Sequence, residues 1–196
     1  MNRVAQLDPA QATGKTKQLF EAVQTRLGQV PNLIRVLGTA PAALEGYLNL
    51  CDALAAGKLS IKLREQIALT VAESNLCRYC LSEHSFTGSK AGLNEAEIAD
   101  ARCANASDDK TDAALKLARS IVVYRGEVSD TDLSKARSAG LTDSDIVETI
   151  ANVVVNIFTN YVNHVARTEV DFPETKPVDV EASINTLTDQ PTHEGE

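Results

Sequence analysis

Residues 64–84, which read REQIALTVAESNLCRYCLSEH, run from Arg64 to His84 and decide the fold. In the first half of this stretch the apolar residues recur every three or four positions, which predicts an amphipathic helix rather than a strand. Ser74 and Asn75 then form a turn signal, because both side chains can hydrogen-bond to nearby backbone. A second helical run follows them. The stretch therefore predicts two helices folded back on each other at this corner.

The rest of the chain shows the same helical spacing. Asn94 and Thr142 each stand three residues before an acid, a pattern that caps the first turn of a helix. No segment alternates apolar and polar residues as a half-buried strand would. The predicted fold class is all-α, a single-domain helical bundle. Helices are expected over Lys15–Leu27, from Pro41 to Gly57, after Ser60, after Asn94, over Asp108–Tyr124 and Ser129–Ala139, and from Thr142 to about Arg167.

Composition limits the classes of function. The 196 residues are 43% hydrophobic and 23% charged, with a formal net charge of −8, which is typical of a globular domain. An acidic chain without clustered Lys and Arg is a poor nucleic-acid binder. No run approaches the roughly 18 to 20 apolar residues of a membrane span. The first residues lack the apolar core of a secretion signal, so we expect a cytoplasmic protein.

The domain boundaries follow from the loss of helical periodicity at both ends. We assign residues 1–14 to an N-terminal segment and residues 15–173 to the helical domain. Residues 174–196 are rich in Pro, Thr and Glu and show no periodicity, which predicts an acidic mobile tail or an arm laid on a neighbour.

The strongest candidates for reactive residues are Cys77 and Cys80, which form a C-x-x-C pair. In a reducing compartment such a pair indicates redox or metal chemistry more readily than a structural disulfide. On one helix Cys77, Cys80 and His84 are spaced i, i+3 and i+7, so the three side chains share one face. The thiolate is the reactive form of cysteine, and a helix N-terminus or a nearby base promotes it. The pair is therefore the candidate catalytic site.

Glu65 joins this site only if the chain turns at Ser74. Twelve residues of straight helix would hold Glu65 about 18 Å from Cys77. In a hairpin, by contrast, Glu65 meets His84 across the two helices. A carboxylate orients the imidazole and raises its basicity, so the ring can accept a proton from Cys80. The sequence thus predicts a Glu–His–Cys proton relay.

The pattern of Glu65, eleven residues, Cys77-x-x-Cys80, three residues and His84 resembles the active-site pattern of a known family. That family is the alkylhydroperoxidase D-like, peroxidase-related branch of the carboxymuconolactone decarboxylase superfamily. The resemblance extends over roughly residues 15–173. It is carried also by Val30-Pro31-Asn32-Leu33, Gly57-Lys58-Leu59-Ser60, Gly92-Leu93, Asn160-x-x-Asn163-His164 and Asp171-Phe172-Pro173.

The resemblance implies an all-helical, homo-oligomeric enzyme that reduces organic hydroperoxides without a cofactor or a metal. It implies that Cys80 attacks the peroxide and that Cys77 resolves the product into a disulfide. Glu65 and His84 would relay protons, and an external dithiol or thiol-protein would restore the thiols. Tyr79 stands where some members have a histidine, so a proton donor is missing or replaced by a phenol. The true lactone decarboxylases lack the cysteine pair, and their activity is not expected here.

Several alternatives stay open from the residues alone. Cys77 lies nearer the helix N-terminus, which favours Cys77 as the attacking thiol on physical grounds. The protein is alternatively a thiol–disulfide adaptor for a partner peroxiredoxin. A third alternative is a non-catalytic oligomeric or metal-binding module, in which Cys77, Cys80 and His84 bind zinc together with Glu65 or Cys103.

Other residues carry weaker signals. The isolated Cys51 and Cys103 are expected to be small buried apolar residues. Shifting the sequence by 83 residues aligns Cys77 and Cys80 with Asn160 and Asn163. The aligned segments share too few identical residues to establish an internal repeat. No role follows from the sequence for Asn160, Asn163 or His164.

Overall fold

The computed structural model describes residues 3–177, and within them every regular element is helical. The all-α prediction is confirmed. After a short 3₁₀ turn at Pro9–Gln11, the helices are α1 (Gly14–Leu27), α2 (Asn32–Leu37), α3 (Pro41–Ala55), α4 (Ile61–Ser74), α5 (Arg78–Lys90), α6 (Glu95–Arg102), α7 (Asp109–Val123), α8 (Asp130–Ser138) and α9 (Asp143–Ala166).

Side-chain caps explain why several helices begin where they do. The Ser60 hydroxyl accepts a hydrogen bond from the N–H of Leu63 at the start of α4. Asn94 and Thr142 close full capping boxes at the starts of α6 and α9, as their spacing predicted. Each cap satisfies an N–H that has no partner within the helix. The short helix α2 was not predicted, because six residues give too few turns for a periodic signal.

Helix α4 forms the centre of the bundle. Its residues 66–73 are all buried, and α5, α6, α7 and α9 pack around it. A helix that is buried on every side needs small or apolar residues all round, which the run from Ile67 to Ala72 supplies. This packing fixes α4 rigidly and holds Glu65, near its first turn, against α5.

The chain beyond α9 returns to the helix that carries the cysteines. Arg167 ends α9 in the left-handed conformation, with φ of 52°. The following segment then crosses α5, where Glu174 pairs with Arg78 at 3.3 Å and the Thr175 N–H donates to the Ser82 hydroxyl at 2.9 Å. The first residues of the predicted tail thus contact α5 of the same chain. Residues 178–196 of that tail, like residues 1–2, lie outside the described residues.

Helix α9 exposes an apolar stripe along its whole length. Its outward residues are large and apolar although they face away from the core. They are Val147, Ile150, Val154, Phe158, Tyr161 and Val165. Monomeric proteins rarely expose apolar residues in a continuous row of this kind. No helix in the described part of the chain is both long enough and apolar enough to cross a bilayer.

Candidate active site

A tight corner joins the two helices of the site. Asn75 caps the C-terminus of α4, and Leu76 takes a left-handed conformation with φ of 56°. Cys77 is then the N-cap residue of α5, so it lies one step outside that helix rather than within it. This corner turns the chain back and packs α5 along α4. Cys80 follows in the first turn of α5.

Glu65 and His84 meet across the two helices. The Nδ1 atom of His84 lies 2.9 Å from Oε2 of Glu65, and the Thr87 hydroxyl donates to the same oxygen at 2.7 Å. Burial alone would lower the pKa of His84, but the neighbouring Glu65 carboxylate raises it to about 9. Burial would raise the pKa of Glu65, yet the imidazolium and the two hydrogen bonds hold it below its usual value. At neutral pH the two side chains are therefore an ion pair.

The two sulfurs lie close together and are shielded from solvent. Sγ of Cys77 and Sγ of Cys80 are 2.9 Å apart, and both residues are free thiols. They are 2% and 0% exposed. The separation is larger than a disulfide bond but small enough for one to form with slight movement. The geometry is thus compatible with a disulfide between the two sulfurs.

The negative charge of the reduced pair is favoured on Cys77. The hydrogen bond with Cys80 lowers the pKa of Cys77 most, burial opposes it, and the charge of His84 lowers it further. Burial raises the pKa of Cys80 well above the usual thiol value, and the hydrogen bond with Cys77 raises it again. Ionisation is therefore favoured at Cys77 over Cys80, the direction that the physical alternative expects for the attacking thiol.

A second carboxyl group, Glu83, lies on α5 beside His84. Burial raises its pKa most, the charge of His84 lowers it, and the negative charges of Glu65 and Asp171 raise it again. When ionised, Glu83 raises the pKa of both Cys77 and Cys80. It therefore counteracts the effect of His84 on the thiols.

Asn163 of α9 completes the surroundings of the thiols. Its Nδ2 donates to Sγ of Cys80 at 3.3 Å, a contact that sequence reasoning did not find. Two signals in the sequence pointed to Asn163: its place in the family resemblance, and the shift of 83 residues that aligns it with Cys80. Nearby, Nδ2 of Asn75 donates to Oδ1 of Asn160 at 2.9 Å, and Nε2 of the exposed His164 lies 2.9 Å from the Asn75 carbonyl oxygen. His164 thus contacts the corner and not the sulfurs.

Tyr79 does not take the place of a histidine proton donor at the thiols. Its hydroxyl accepts the N–H of Leu33 at 3.2 Å and donates to Oδ1 of Asp171 at 2.8 Å. Its ring packs edge-on against Phe172, with centroids 5.8 Å apart. Burial raises the pKa of the phenol. The hydroxyl therefore anchors the C-terminal segment to α5 and α2.

The remaining cysteines differ from expectation. Cys103 is exposed at the C-terminal end of α6, so the prediction that it is buried is wrong; α6 is short and ends there, and its core contact is made by Ala101 instead. Cys51 is half-buried on α3. Within residues 3–177 no cluster of three or more His, Cys, Asp or Glu side chains is arranged to hold a metal ion.

Solved structures share this fold. The alkylhydroperoxidase AhpD core of an uncharacterized peroxidase-related protein from Ralstonia eutropha JMP134 is 22% identical, with 87% of this chain and 92% of that chain covered and a TM-score of 0.78. A peroxidase-related protein from Silicibacter sp. TM1040 is 23% identical, with coverage of 85% and 90% and a TM-score of 0.74. The debrominase Bmp8 is 20% identical, with coverage of 86% and 92% and a TM-score of 0.74.

The sequence itself matches a family model over the part that carries the site. No curated protein matches the sequence. Residues 41–123, however, match the model of the carboxymuconolactone decarboxylase family, and this span includes Glu65, both cysteines of the pair and His84. The fold and this match agree. The part of the chain that carries the site is therefore similar to the carboxymuconolactone decarboxylase family, and its fold is the one seen in the alkylhydroperoxidase AhpD core.

Proposed function

We propose that the protein is a thiol-dependent peroxidase that reduces organic hydroperoxides through a dithiol–disulfide cycle of Cys77 and Cys80. The observation that carries the proposal is the placement of two free thiols, 2.9 Å apart, beside an imidazole that Glu65 keeps protonated. An ionised sulfur is a nucleophile, and a nearby imidazolium can protonate a leaving group. The site thus combines a nucleophilic sulfur with a proton donor for the leaving group.

In the first step we propose that the thiolate of Cys77 attacks the terminal oxygen of the hydroperoxide. An S–O bond forms, and the O–O bond breaks with its electron pair leaving on the alkoxide oxygen. The alkoxide takes a proton from His84 and departs as the alcohol. Cys77 is left as a sulfenic acid. The lowered pKa of Cys77 favours this order over attack by Cys80.

In the second step the sulfur of Cys80 attacks the sulfur of Cys77. Cys80 gives up its proton, the S–S bond forms, and the S–O bond breaks to release hydroxide, which is protonated to water. An external dithiol or thiol-protein then reduces the disulfide and returns both thiols. The cycle requires no cofactor.

The fold alone does not choose the substrate, because Bmp8 shares it and is a debrominase. The deciding experiment supplies cumene hydroperoxide and dithiothreitol to the purified protein and measures cumyl alcohol by chromatography. We expect catalytic turnover in the parent and in Cys51→Ser, the matched control. Cys77→Ser should produce no alcohol, and Cys80→Ser should accumulate a sulfenic acid that dimedone labels.

Other results would overturn the proposal in favour of a different function. Reduction of an oxidised peroxiredoxin without any alcohol from cumene hydroperoxide would establish the adaptor. Release of bromide from a bromopyrrole, again without peroxide turnover, would establish a dehalogenase. Unreactive thiols together with stoichiometric zinc would establish a metal-binding module.

We also propose that the protein forms a homo-oligomer through the apolar stripe of α9. Val154 and Val165, two residues of the stripe, are 52% and 64% exposed. Covering such a stripe with a second copy removes apolar surface from water, at roughly 25 cal/mol per Å². The helix that carries the stripe also reaches the site from its buried side, where Asn163 contacts Cys80.

A further inference from the structure

The buried amide of Asn163 is aimed at the sulfur that the mechanism leaves protonated at rest. Asn163 is 4% exposed, and its Nδ2 lies 3.3 Å from Sγ of Cys80. Among the described residues, Cys77 and Asn163 are the hydrogen-bond partners of this sulfur. Asn163 therefore touches a reacting atom directly.

The side-chain amide of Asn163 is unusual because its oxygen lacks a hydrogen-bond donor among the described residues. Oδ1 of Asn163 is buried and has no hydrogen-bond partner within the described part of the chain. A buried polar atom in this state is costly and calls for a compensating interaction. A neutral thiol is a weak acceptor, whereas an ionised sulfur is a strong one. The contact is thus most favourable when Cys80 carries a negative charge.

The surrounding residues hold the amide in place. Asn160, one turn earlier on α9, is fully buried and accepts a hydrogen bond from Asn75 at the α4–α5 corner. The same corner contacts His164 through its carbonyl oxygen. Two contacts therefore tie α9 to the corner on either side of Asn163. The position of the amide relative to the thiols is fixed by the fold.

Other groups around Cys80 oppose its ionisation. Burial, the charge of Cys77 and the charge of Glu83 all raise its pKa, and the hydrogen bond from Asn163 lowers it. Yet the proposed cycle requires an ionised Cys80 twice. It is the nucleophile that resolves the sulfenic acid, and it is the leaving group when a thiolate attacks the sulfur of Cys77 in the disulfide.

We propose that Asn163 is a catalytic residue of the thiol cycle, whose amide N–H stabilises the thiolate of Cys80 at the two steps that create it. In resolution, Cys80 forms the S–S bond as the S–O bond of Cys77 breaks. In reduction, an external dithiol forms a mixed disulfide with Cys77, and the electron pair of the broken S–S bond passes to Cys80. This inference rests on the proposed function, in which Cys80 is the resolving thiol.

The test uses Asn163→Leu, which is close in size and removes the unsatisfied oxygen together with the donor. Asn156→Leu is the matched control, because Asn156 is also a buried asparagine of α9 but donates to the Asn152 carbonyl oxygen at 2.8 Å. Each protein is oxidised to the disulfide with diamide and then reduced with dithiothreitol, and the rate of thiol recovery is measured. We expect Asn163→Leu to be reduced about tenfold to a hundredfold more slowly, the effect of losing a hydrogen bond to a charged group.

A second measurement needs no reaction at all. In a Cys77→Ala background the thiolate absorbance of Cys80 is titrated with and without Asn163→Leu. We expect the pKa of Cys80 to rise by about one unit when the donor is lost. Asn163→Ala, which is uncharged and also lacks the N–H, should raise the pKa in the same sense and serves if the leucine variant does not fold.

Parent-like reduction rates and an unchanged Cys80 pKa in both variants would overturn the assignment. So would an equal slowing in Asn156→Leu, because a general packing defect would then explain the result. In this test diamide oxidises the thiols and dithiothreitol reduces the disulfide, so no peroxide is used. A protein that fails to reduce cumene hydroperoxide but shows the slow reduction in Asn163→Leu would therefore refute the proposed function and support this inference.

Discussion

Nδ1 of His84 lies 2.9 Å from Oε2 of Glu65, and this contact joins α5 to α4 at the level of the thiols. The carboxylate keeps the imidazole protonated at a pH where an isolated histidine is neutral. A positive charge beside Cys77 stabilises its thiolate, and the same proton is available to a departing alkoxide. In the proposed mechanism one ion pair thus serves both the nucleophile and the leaving group.

The pH dependence of peroxide reduction should report this ion pair. The pKa of His84 is raised to about 9, so the protonated form persists above the usual imidazole value near 6.5 and is lost as the pH rises through about 9. We expect the single-turnover rate with cumene hydroperoxide to fall along this alkaline limb. Glu65→Gln removes the main cause of the raised pKa and should move the limb towards neutral pH. A limb that stays in place in this variant would contradict the assignment.

The same pairing links pH to stability, and its sign follows from the shifts. The raised pKa of His84 contributes stability that is full below the usual imidazole value and is lost as the pH rises towards about 9. The lowered pKa of Glu65 contributes stability at neutral pH that is lost in acid. Glu127→Gln, at an exposed carboxylate in the loop after α7, is the matched control for Glu65→Gln and should leave the profile unchanged.

Removing the charge of Glu83 should activate the thiols. Ionised Glu83 raises the pKa of Cys77 and Cys80, so Glu83→Gln should lower both values. Titration of the thiolate absorbance checks the direction, and the gain in single-turnover rate should shrink towards acidic pH, where the raised pKa of Glu83 leaves its carboxyl neutral in the parent as well. A higher Cys77 pKa in the variant would show that Glu83 acts on the site through packing and not through its charge.

Tyr79→Phe should weaken the fold and spare the chemistry. The phenol hydroxyl bonds Leu33 and Asp171 and neither sulfur, so its loss should cost about 1–3 kcal/mol of unfolding free energy. Urea unfolding measures that cost. The single-turnover rate of the folded variant should remain within about twofold of the parent, since within the described residues the hydroxyl contacts neither sulfur and shares no hydrogen-bond partner with them. A far slower reaction in a stable variant would place the phenol in the proton relay.

A charge on the apolar stripe of α9 should disperse the proposed oligomer. Val154→Arg places a cation at the middle of the stripe, where burial against another copy would require desolvating it. Light scattering coupled to size exclusion should show a lower mass than the parent. Gln18→Arg, an exposed position on α1, is the control that should keep the parent mass. A parent that is already monomeric would refute the assembly.

Local signals in the sequence accounted for much of the architecture. Ser60, Asn94 and Thr142 cap helices where their spacing placed them, because a cap depends on residues within one turn. The expectation that Glu65 meets His84 rested on the turn signal at Ser74. The burial of single residues could not be inferred in the same way. The prediction that Cys103 is buried was wrong because nothing in its own segment shows where α6 ends relative to the core.

Contacts between residues far apart in the chain could not be predicted from the sequence. Asn163 reaches Cys80 from 83 positions away, and only the packing of α9 on the hairpin brings the two together. The sequence also does not show which of the two sulfurs attacks the substrate, because both residues are cysteines. Their difference comes from burial, from the hydrogen bond between them and from the side chains that surround each sulfur.

The central claim is most directly tested by a single turnover without any reductant. The fully reduced protein receives an equimolar amount of cumene hydroperoxide, and cumyl alcohol and the state of each cysteine are measured by chromatography and peptide mass spectrometry. We expect stoichiometric alcohol, an intramolecular disulfide between Cys77 and Cys80, and unmodified Cys51 and Cys103. Free thiols at Cys77 and Cys80 with no alcohol formed would contradict it.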